Sequence, residues 1–228
     1  MKTAILISGR GSNMRALLDA ASAPSYPAEI ICVISNEPNS AGLEWASNAG
    51  IETDIINHRD YDGRTSFEDA LHKKLISVDV ELICLAGFMR LLTEHFVSKW
   101  QDRIINIHPS LLPSYKGLNT HKRVLVDGVK FTGCTVHFVR SEMDDGPIIA
   151  QAVVPVRPED DPDTLAARVL AAEHECYAFA LRLVACGATT IVNRTVEIVG
   201  AISPETALFN PSPKPLVDGH STKTENEL

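Results

Sequence analysis

Two polar side chains, Asn106 and His108, alternate with isoleucines in a short apolar run that ends at Pro109. Successive side chains of a strand point to opposite faces, so these two would share one face, roughly 7 Å apart at about 3.3 Å rise per residue. An asparagine amide can donate to an oxygen that gains negative charge, and a histidine can carry a proton near neutral pH. The spacing therefore favours oxyanion or proton-transfer chemistry, and equally a buried strand end whose polar groups cap loop backbone.

A second group of small and polar residues, 8–13, lies between an apolar run and a predicted helix. Backbone N–H groups at a helix N-terminus, freed by small residues such as Gly11, form a cradle for anions, and Ser12 and Asn13 add side-chain donors. The dinucleotide fingerprint needs glycine at position 14, which is Met14, and the Gly-Lys-Ser/Thr ending of a P-loop is also missing. A single phosphate monoester fits this turn better, while a glycine turn with a helix cap explains it without a ligand.

A carboxylate and two further histidines extend the set of candidates. Asp144 lies in a predicted short hairpin turn, where aspartate and glycine are common without any catalytic role. His137 alternates with Thr135 on the strand that leads to this turn. Two interpretations are equally favoured: it faces the site, or it is a hydrogen-bonded histidine within the sheet. His121 lies in a glycine-containing loop that could close over a substrate. Residue types alone leave all three roles open.

Two more segments have ordinary structural explanations when they are taken alone. The apolar stretch 86–92 follows a predicted strand and holds one basic residue, Arg90, so it is typical of core packing beside a solvated arginine. A flat apolar wall for a pterin ring is the functional interpretation of the same residues. Glu173, in a long alanine-rich helix, would by itself be part of a solvated helix face.

Composition limits the class of protein. The 228 residues are 45% hydrophobic and 22% charged, which suits a globular unit with a sizeable core. The net charge of −8 argues against a nucleic-acid track, which needs a basic face, but allows one small anionic substrate. Five cysteines without a CxxC pair predict reduced core thiols, and the apolar run 4–7 is too short for a signal sequence or membrane span. We therefore expect a cytoplasmic protein without a metal, a membrane association or a nucleic-acid partner.

Apolar strands that alternate with helices must position these residues. Strands are predicted at 2–7, 29–34, 53–56, 82–86 and 104–108, with helices at 12–23, 41–49 and 64–77. This α/β order is typical of a Rossmann-like, mostly parallel sheet with helices on both faces. A C-terminal antiparallel pair at 132–139 and 148–156 extends the sheet, and a long helix follows at 163–186. We expect one domain over 1–200 and a polar, flexible tail over 201–228.

Three motifs that occur in order are more specific: Gly-Arg-Gly-Ser-Asn at 9–13, Asn-Ile-His-Pro-Ser-Leu-Leu-Pro at 106–113, and Asp-x-Gly-Pro at 144–147. Together they resemble the folate-dependent formyltransferases, above all the phosphoribosylglycinamide formyltransferases, or glycinamide ribonucleotide transformylases. The resemblance covers about residues 1–200 and implies the formyltransferase fold. It also implies that a formyl group passes from the co-substrate 10-formyltetrahydrofolate to the amine of glycinamide ribonucleotide in purine biosynthesis, without a metal.

The same resemblance assigns roles to individual positions. Its catalytic group would be Asn106, His108 and Asp144, because the Asp-x-Gly-Pro pattern selects Asp144 over Asp145. Asp144 would hold His108 charged, and His108 would act either as a cation beside the oxyanion or as a base. The substrate phosphate and ribose would lie at Gly11, Ser12, Asn13 and Glu173. The folate would lie at Arg64, Met89, Arg90, Leu91, Leu92, Val139, Arg140 and Asp144.

Three alternatives remain for the function. Methionyl-tRNA formyltransferases share the catalytic residues but carry an additional C-terminal domain for tRNA, where we expect only the polar tail. Formyltetrahydrofolate hydrolases normally carry an extra N-terminal regulatory domain, whereas the first strand here begins at Lys2. A catalytically inert nucleotide-binding module would not need an asparagine, a histidine and an aspartate at one sheet edge.

Overall fold

One seven-stranded sheet organises the computed structural model, which describes residues 1–211. Five strands are parallel: β1 (Lys2–Ile7), β2 (Glu29–Ser35), β3 (Glu52–Ile55), β4 (Leu82–Leu85) and β5 (Ile104–His108). Two antiparallel strands follow, β6 (Phe131–Phe138) and β7 (Ile148–Pro155). The strand order is β3-β2-β1-β4-β5-β6-β7, so the order reverses at β1. In open α/β sheets, ligands bind outside the carboxyl ends of the strands at such a reversal.

Helices connect these strands: α1 (Ser12–Ala21), α2 (Ala41–Asn48), α3 (Arg64–Ser77), α4 (Glu94–Lys99), α5 (Thr120–Asp127) and α6 (Pro162–Ala185). A single 3₁₀ turn spans His58–Asp60. The longest helix, α6, begins with a capping box in which the Asp161 carboxylate accepts from the Thr164 N–H at 2.8 Å. The Thr164 hydroxyl accepts from the Asp161 N–H at 2.9 Å, and Pro162 occupies the first turn, where its missing N–H costs nothing.

The sheet buries a separate apolar cluster on each of its faces. Ile5 and Ile7 of β1 join the cluster beneath α1 and α6, which includes Tyr177. The intervening Ala4 and Leu6 point to the opposite face, where they join a cluster that includes Phe67 and Leu71 from α3, Phe96 from α4 and Trp100 at the end of α4. This alternation is why the parallel strands are apolar throughout. The predicted mostly parallel α/β sheet with an antiparallel extension is confirmed.

Several short elements were not predicted. The helices α4 and α5 are absent from the predicted set, and so is a second sheet formed by β8 (Thr189–Val192) and β9 (Thr195–Ile198). β8 and β9 pair across a two-residue turn in which Asn193 adopts a left-handed φ of 58°. Strands this short, with half their residues exposed, carry too little apolar alternation to be recognised from sequence.

The connection between β6 and β7 also differs from the predicted short turn. It spans residues 139–147 and begins beside the amino end of β5, where the Val139 N–H donates to the Ile104 carbonyl at 2.9 Å. It then folds back far enough for Asp144 to reach His108 at the other end of β5. The connection that supplies Asp144 therefore begins at the amino end of β5, although Asp144 itself meets His108 at the carboxyl end.

The predicted tail, 201–228, is described as far as residue 211, and the remainder lies outside the described residues. Within the described part, the Asn210 side chain donates to the carbonyls of Lys130 and Val156 at 2.5 and 2.9 Å. These two carbonyls lie at the start of β6 and the end of β7, so Asn210 contacts the edge of the main sheet.

Candidate active site

His108 and Asp144 lie in contact in a nearly closed environment. His108 Nδ1 lies 3.3 Å from Asp144 Oδ2, and the two side chains are 7% and 12% exposed. His108 Nε2 lies 2.9 Å from the Tyr115 carbonyl, which can only accept a hydrogen bond. Both neighbours of the ring are thus acceptors, and a doubly protonated imidazolium satisfies both of them.

Asp144 is held to the neighbouring loop by the same carboxylate oxygen. Its Oδ2 accepts from the Gly117 N–H at 2.8 Å, in addition to its contact with His108. Asp144 adopts a left-handed φ of 50°, which is uncommon for a residue other than glycine and costs conformational energy. Its tertiary contacts must compensate for that cost, so Asp144 is positioned by the 115–117 loop.

Asn106 is oriented by His137, its partner across β5 and β6. Its Nδ2 lies 3.2 Å from His137 Nε2, and His137 Nδ1 lies 3.0 Å from the Phe138 carbonyl. Because the carbonyl requires Nδ1 to be the donor, Nε2 of a neutral ring accepts from Asn106. Burial lowers the pKa of His137, which agrees with the neutral form. His137 thus occupies a hydrogen-bonded place in the sheet and orients a predicted catalytic side chain.

The glycine turn is packed against the start of α2. Gly11 caps α1 with a left-handed φ of 73°, and a Cβ at this position would lie 3.0 Å from the Cα of Gly42. The Ser40 hydroxyl and the Gly42 N–H both donate to the Gly9 carbonyl, at 2.7 and 3.1 Å. These contacts fix the turn whose N–H groups face the predicted phosphate position.

Asn13 and Glu173 meet although they are far apart in sequence. The Asn13 Nδ2 donates to Glu173 Oε2 at 2.6 Å, and the two residues are 8% and 7% exposed. Burial raises the pKa of the Glu173 carboxyl, and the hydrogen bond from Asn13 offsets part of this effect. The Asn13 Oδ1 is buried without a partner among the described residues. The structure therefore brings the predicted phosphate turn and Glu173 into one polar group with an unused acceptor.

The segment after β4 is attached to the glycine turn through Ser8. The Ser8 N–H donates to the Gly87 carbonyl at 3.1 Å, and its hydroxyl accepts from the Met89 N–H at 2.8 Å. Met89 and Leu91 expose 70% and 57% of their surface, whereas Leu92 is buried in the core. The predicted folate segment thus supplies two exposed apolar side chains on a fixed backbone.

The remaining predicted folate residues differ in how firmly they are held. Arg64 is the exposed first residue of α3, and Val139 begins the 139–147 connection beside Ile104. The Arg140 guanidinium donates to Asp102 Oδ1 at 2.6 Å and to the Val139 carbonyl at 3.0 Å. Arg140 is therefore committed to contacts with its own surroundings.

His121 does not lie in a loop as predicted, because it is the second residue of α5. Asn119 precedes this helix with a left-handed φ of 56°, and Gly128 ends it with a left-handed φ of 66°. Burial lowers the pKa of His121, and the nearby His108 lowers it further. The predicted loop placement of His121 is therefore wrong, and its accessory role in the site stays a prediction.

The partners of the site residues were largely missed by sequence reasoning. The Tyr115 carbonyl and the Gly117 N–H are backbone groups, which no residue type identifies. Asp145, beside Asp144, binds the side chains of Lys116 and Arg194, and Arg194 comes from the unpredicted β8–β9 turn. The pKa of Asp145 is lowered by its hydrogen bond to Lys116, which has the larger effect, and by its hydrogen bond to Arg194. Only the extra negative charge of Asp145 could have suggested basic partners in advance.

Several expectations concern groups that the chain would lack. Within residues 1–211, no cluster of three or more histidine, cysteine or acidic side chains is placed to hold a metal ion. In the same range, none of the helices combines the length and the apolar character that crossing a bilayer requires. Four of the five cysteines are buried, and all five are free thiols.

Comparison with known proteins identifies relatives that are similar to this chain over most of its length. A family model described as formyl transferase matches residues 1–181. The phosphoribosylglycinamide formyltransferase of Haemophilus influenzae is 37% identical over 209 residues, which are 92% of this chain and 99% of that protein. The trifunctional purine biosynthetic protein adenosine-3 of Gallus gallus is 52% identical over 191 residues, which are 84% of this chain.

That trifunctional relative is much longer, since the match covers 19% of its length. The chain therefore spans about a fifth of such a protein. Among solved structures, glycinamide ribonucleotide transformylase 1 from Symbiobacterium toebii superimposes with a TM-score of 0.85 at 43% identity. The superposition covers 87% of this chain and 93% of that chain.

Proposed function

Because the chain belongs to the formyl transferase family, we propose that it transfers a formyl group from 10-formyltetrahydrofolate to the amine of glycinamide ribonucleotide in purine biosynthesis. The relative that matches over nearly its full length bears the name of this activity, and so does a solved structure of the same fold. The observation that carries the proposal is the contact of His108 with Asp144 at the end of β5, with Asn106 two residues earlier on the same strand. We place the catalytic unit in residues 1–200.

The reaction replaces one C–N bond with another. The substrate amine attacks the formyl carbon, a C–N bond forms, and the formyl oxygen becomes an oxyanion. The bond from the carbon to N10 of the folate then breaks, and the proton lost by the amine passes to N10. Asn106 and His108 stabilise the oxyanion, because donors held in place before the reaction need no reorganisation when the charge develops.

The geometry favours His108 as a cation over His108 as a base. A base needs an unprotonated ring nitrogen, but both nitrogens lie beside acceptors, Asp144 Oδ2 and the Tyr115 carbonyl. The oxyanion either replaces the Tyr115 carbonyl as the acceptor of the Nε2–H hydrogen bond or is stabilised by the imidazolium charge beside it. Asn106 contributes the second proton of its amide, since the first is directed at His137.

The glycine turn and α6 bind the nucleotide end of the substrate. The phosphate lies against the N-terminus of α1, where Gly11 allows close approach and Ser12 donates from its hydroxyl. Asn13 and Glu173 face the ribose, which supplies both donors and acceptors for them. In particular, a ribose hydroxyl satisfies the buried Asn13 Oδ1 that has no partner among the described residues.

The folate lies against the segment after β4 and the 139–147 connection. Met89 and Leu91 give apolar contacts, Leu92 supports the segment from the core, and Arg90 and Arg64 lie at its rim. Val139, Arg140 and Asp144, the other folate residues that the resemblance implies, form the opposite wall. The co-substrate carries the formyl group, and the proposed mechanism uses no metal. The free thiols suit a reducing, cytoplasmic location.

Omitting the substrates one at a time tests the proposed function. The protein is mixed with 10-formyltetrahydrofolate and glycinamide ribonucleotide, and tetrahydrofolate and the formylated ribonucleotide are measured by absorbance and mass spectrometry. We expect both products only when both substrates are present. Formate release from the folate alone would indicate a hydrolase, and formylation of methionyl-tRNA would indicate the tRNA enzyme. Binding without any product would indicate an inert nucleotide-binding module.

A further inference from the structure

Asp145 has an unusual position for the neighbour of a catalytic carboxylate. Its two oxygens bind different cations, Oδ1 the Lys116 ammonium and Oδ2 the Arg194 guanidinium. Asp145 and Lys116 are 25% and 34% exposed, whereas Arg194 is 78% exposed. The three side chains belong to three separate segments: the loop after β5, the 139–147 connection and the β8–β9 turn.

Asp145 and Asp144 both bind the loop that follows β5. Asp144 accepts from the Gly117 N–H at 2.8 Å, and Asp145 binds the side chain of Lys116, so two consecutive residues dock on two consecutive residues. Gly117 adopts a φ of 81°, and a Cβ there would lie 3.3 Å from the Met143 Cε. The loop and the connection are therefore in close contact over this short region.

From this geometry we propose that Asp145 is a positioning residue for the transfer reaction. Held by Lys116 and Arg194, it fixes the 139–147 connection against the 115–117 loop and keeps Asp144 on His108. The inference rests on the proposed function, because it assigns Asp145 a role in the same site. Asp145 does not replace Asp144, since its oxygens are committed to the two cations and it makes no contact with His108 among residues 1–211.

Physical reasons make such a fastening useful at this place. Asp144 has a left-handed backbone, which residues other than glycine seldom adopt, so relaxation of the connection to another backbone conformation would move Asp144 away from His108. An ion pair on the next residue opposes that relaxation. The β8–β9 hairpin packs beside β7 and brings Arg194 to the same carboxylate, which gives this small sheet a part in the site.

Lys116 and Arg194 should differ in how much each contributes to holding Asp145 in place. Lys116 is the less exposed partner, and the loop that carries it also carries the Gly117 N–H. Arg194 is mostly exposed, so solvent and salt screen its attraction to Asp145. We expect Lys116→Gln to lower kcat about three- to tenfold and Arg194→Gln less than about threefold, the latter effect vanishing at high salt. Lys116→Arg retains the charge and should keep most of the activity.

A double-mutant cycle tests the proposal. Asp145→Asn should lower kcat about three- to tenfold while the KM for the ribonucleotide stays unchanged, because the glycine turn is not involved. In an Asp144→Asn background the same change should cost less than about twofold, since no carboxylate is left to position. Equal losses in the two backgrounds, or a rise in the KM for the ribonucleotide, would overturn the positioning role. Glu52→Gln, which breaks a surface pair with Lys74, is the matched control and should leave kcat unchanged.

A measurement without substrate separates this inference from the proposed function. Hydrogen exchange of the Gly117 amide, followed by NMR on the full chain, reports directly on its bond to Asp144. We expect faster exchange at Gly117 in Asp145→Asn and in Lys116→Gln, but not in Lys116→Arg or Glu52→Gln. Unchanged exchange in the first two variants would refute the fastening even if the enzyme transfers formyl groups. Faster exchange would support it even if the acceptor proves to be another amine.

Discussion

The two polar groups of the site differ in how completely their members are paired. The His108 ring and Asp144 Oδ2 are both paired: the ring contacts two acceptors, and Oδ2 binds the Gly117 N–H as well as His108. Around Asn13, pairing is incomplete, because Oδ1 is buried without a partner and Glu173 has a single side-chain donor. The reacting end is therefore organised before substrate binds, whereas the hydrogen bonds of the nucleotide end are completed only by the substrate.

Charge follows the same division. Asp144 faces a ring that can be cationic, and Asp145 faces two cations that lower its pKa. Glu173 has a neutral amide as its partner, so burial dominates and raises the pKa of its carboxyl. Interior positions tolerate a carboxylate at low cost only where an opposite charge accompanies it. The nucleotide end should therefore be more sensitive to pH and to ligand, and the reacting end more sensitive to the loss of a side chain.

The largest expected effect comes from the reacting end. His108→Ala should lower kcat by about 10²–10⁴-fold with little change in either KM, because it removes a preorganised donor and leaves Asp144 without its cation. His95→Gln is a matched control, since His95 is a half-exposed histidine that pairs with Asp69 away from the site. Steady-state kinetics with both substrates varied will check the split. A rise in KM with unchanged kcat would show that His108 binds substrate without acting on the oxyanion.

The next effect concerns the nucleotide end. Replacing Ser12 and Asn13 together with alanine should weaken ribonucleotide binding by about 2–4 kcal/mol, because two hydrogen bonds to charged or buried groups are lost. This corresponds to a KM roughly 30- to 1,000-fold higher, while the KM for the folate stays the same. Ser47→Ala, at the far end of α2, serves as the control. If both KM values rise together, the two ends of the site are not separate, and the comparison fails.

The accuracy of the predictions made from sequence also differs between regions of the molecule. Three predicted elements, 2–7, 64–77 and 104–108, match the observed bounds, because a glycine or a proline marks one boundary of each: Gly9 after β1, Gly63 before α3 and Pro109 after β5. The helix α4 was missed because a distant residue fixes its start. The Glu68 carboxylate accepts from both the N–H and the hydroxyl of Thr93, which caps α4. Such a contact depends on the tertiary fold and leaves no periodic pattern.

The site shows the same limit at the level of single atoms. The family resemblance, and not residue types alone, singled out the side chains that meet, Asn13 with Glu173 and His108 with Asp144, and their catalytic and binding roles remain predictions. Their backbone partners could not be predicted, since any residue supplies a carbonyl like that of Tyr115. The role of Asp145 needed the β8–β9 turn, whose position relative to the site only the structure gives.

The smallest expected effect is a pH dependence at the nucleotide end. Because burial raises the pKa of Glu173, its carboxyl remains protonated to a higher pH than an exposed glutamate. A carboxylate accepts more strongly from a substrate hydroxyl or ammonium group than a neutral carboxyl does. In the wild type, the KM for the ribonucleotide should therefore fall as pH rises through the raised pKa. Glu173→Gln should remove this change, and at neutral pH its KM should be roughly fivefold higher, as expected for exchanging a charged acceptor for a neutral one.

Stability should change in the opposite sense and provide an internal check. A carboxyl whose folded pKa is raised contributes stability that is fully present below its unfolded pKa and is lost as pH rises through its folded pKa. Glu173→Gln keeps an oxygen that accepts from Asn13 Nδ2 but has no charge to bury, so its melting temperature relative to the wild type should increase over that pH range. Thermal melts of both proteins between acid and neutral pH will measure the difference. A variant that loses stability as pH rises just as the wild type does would mean that Glu173 is not the titrating group, and the contrast drawn between the two ends of the site would then lack its electrostatic basis.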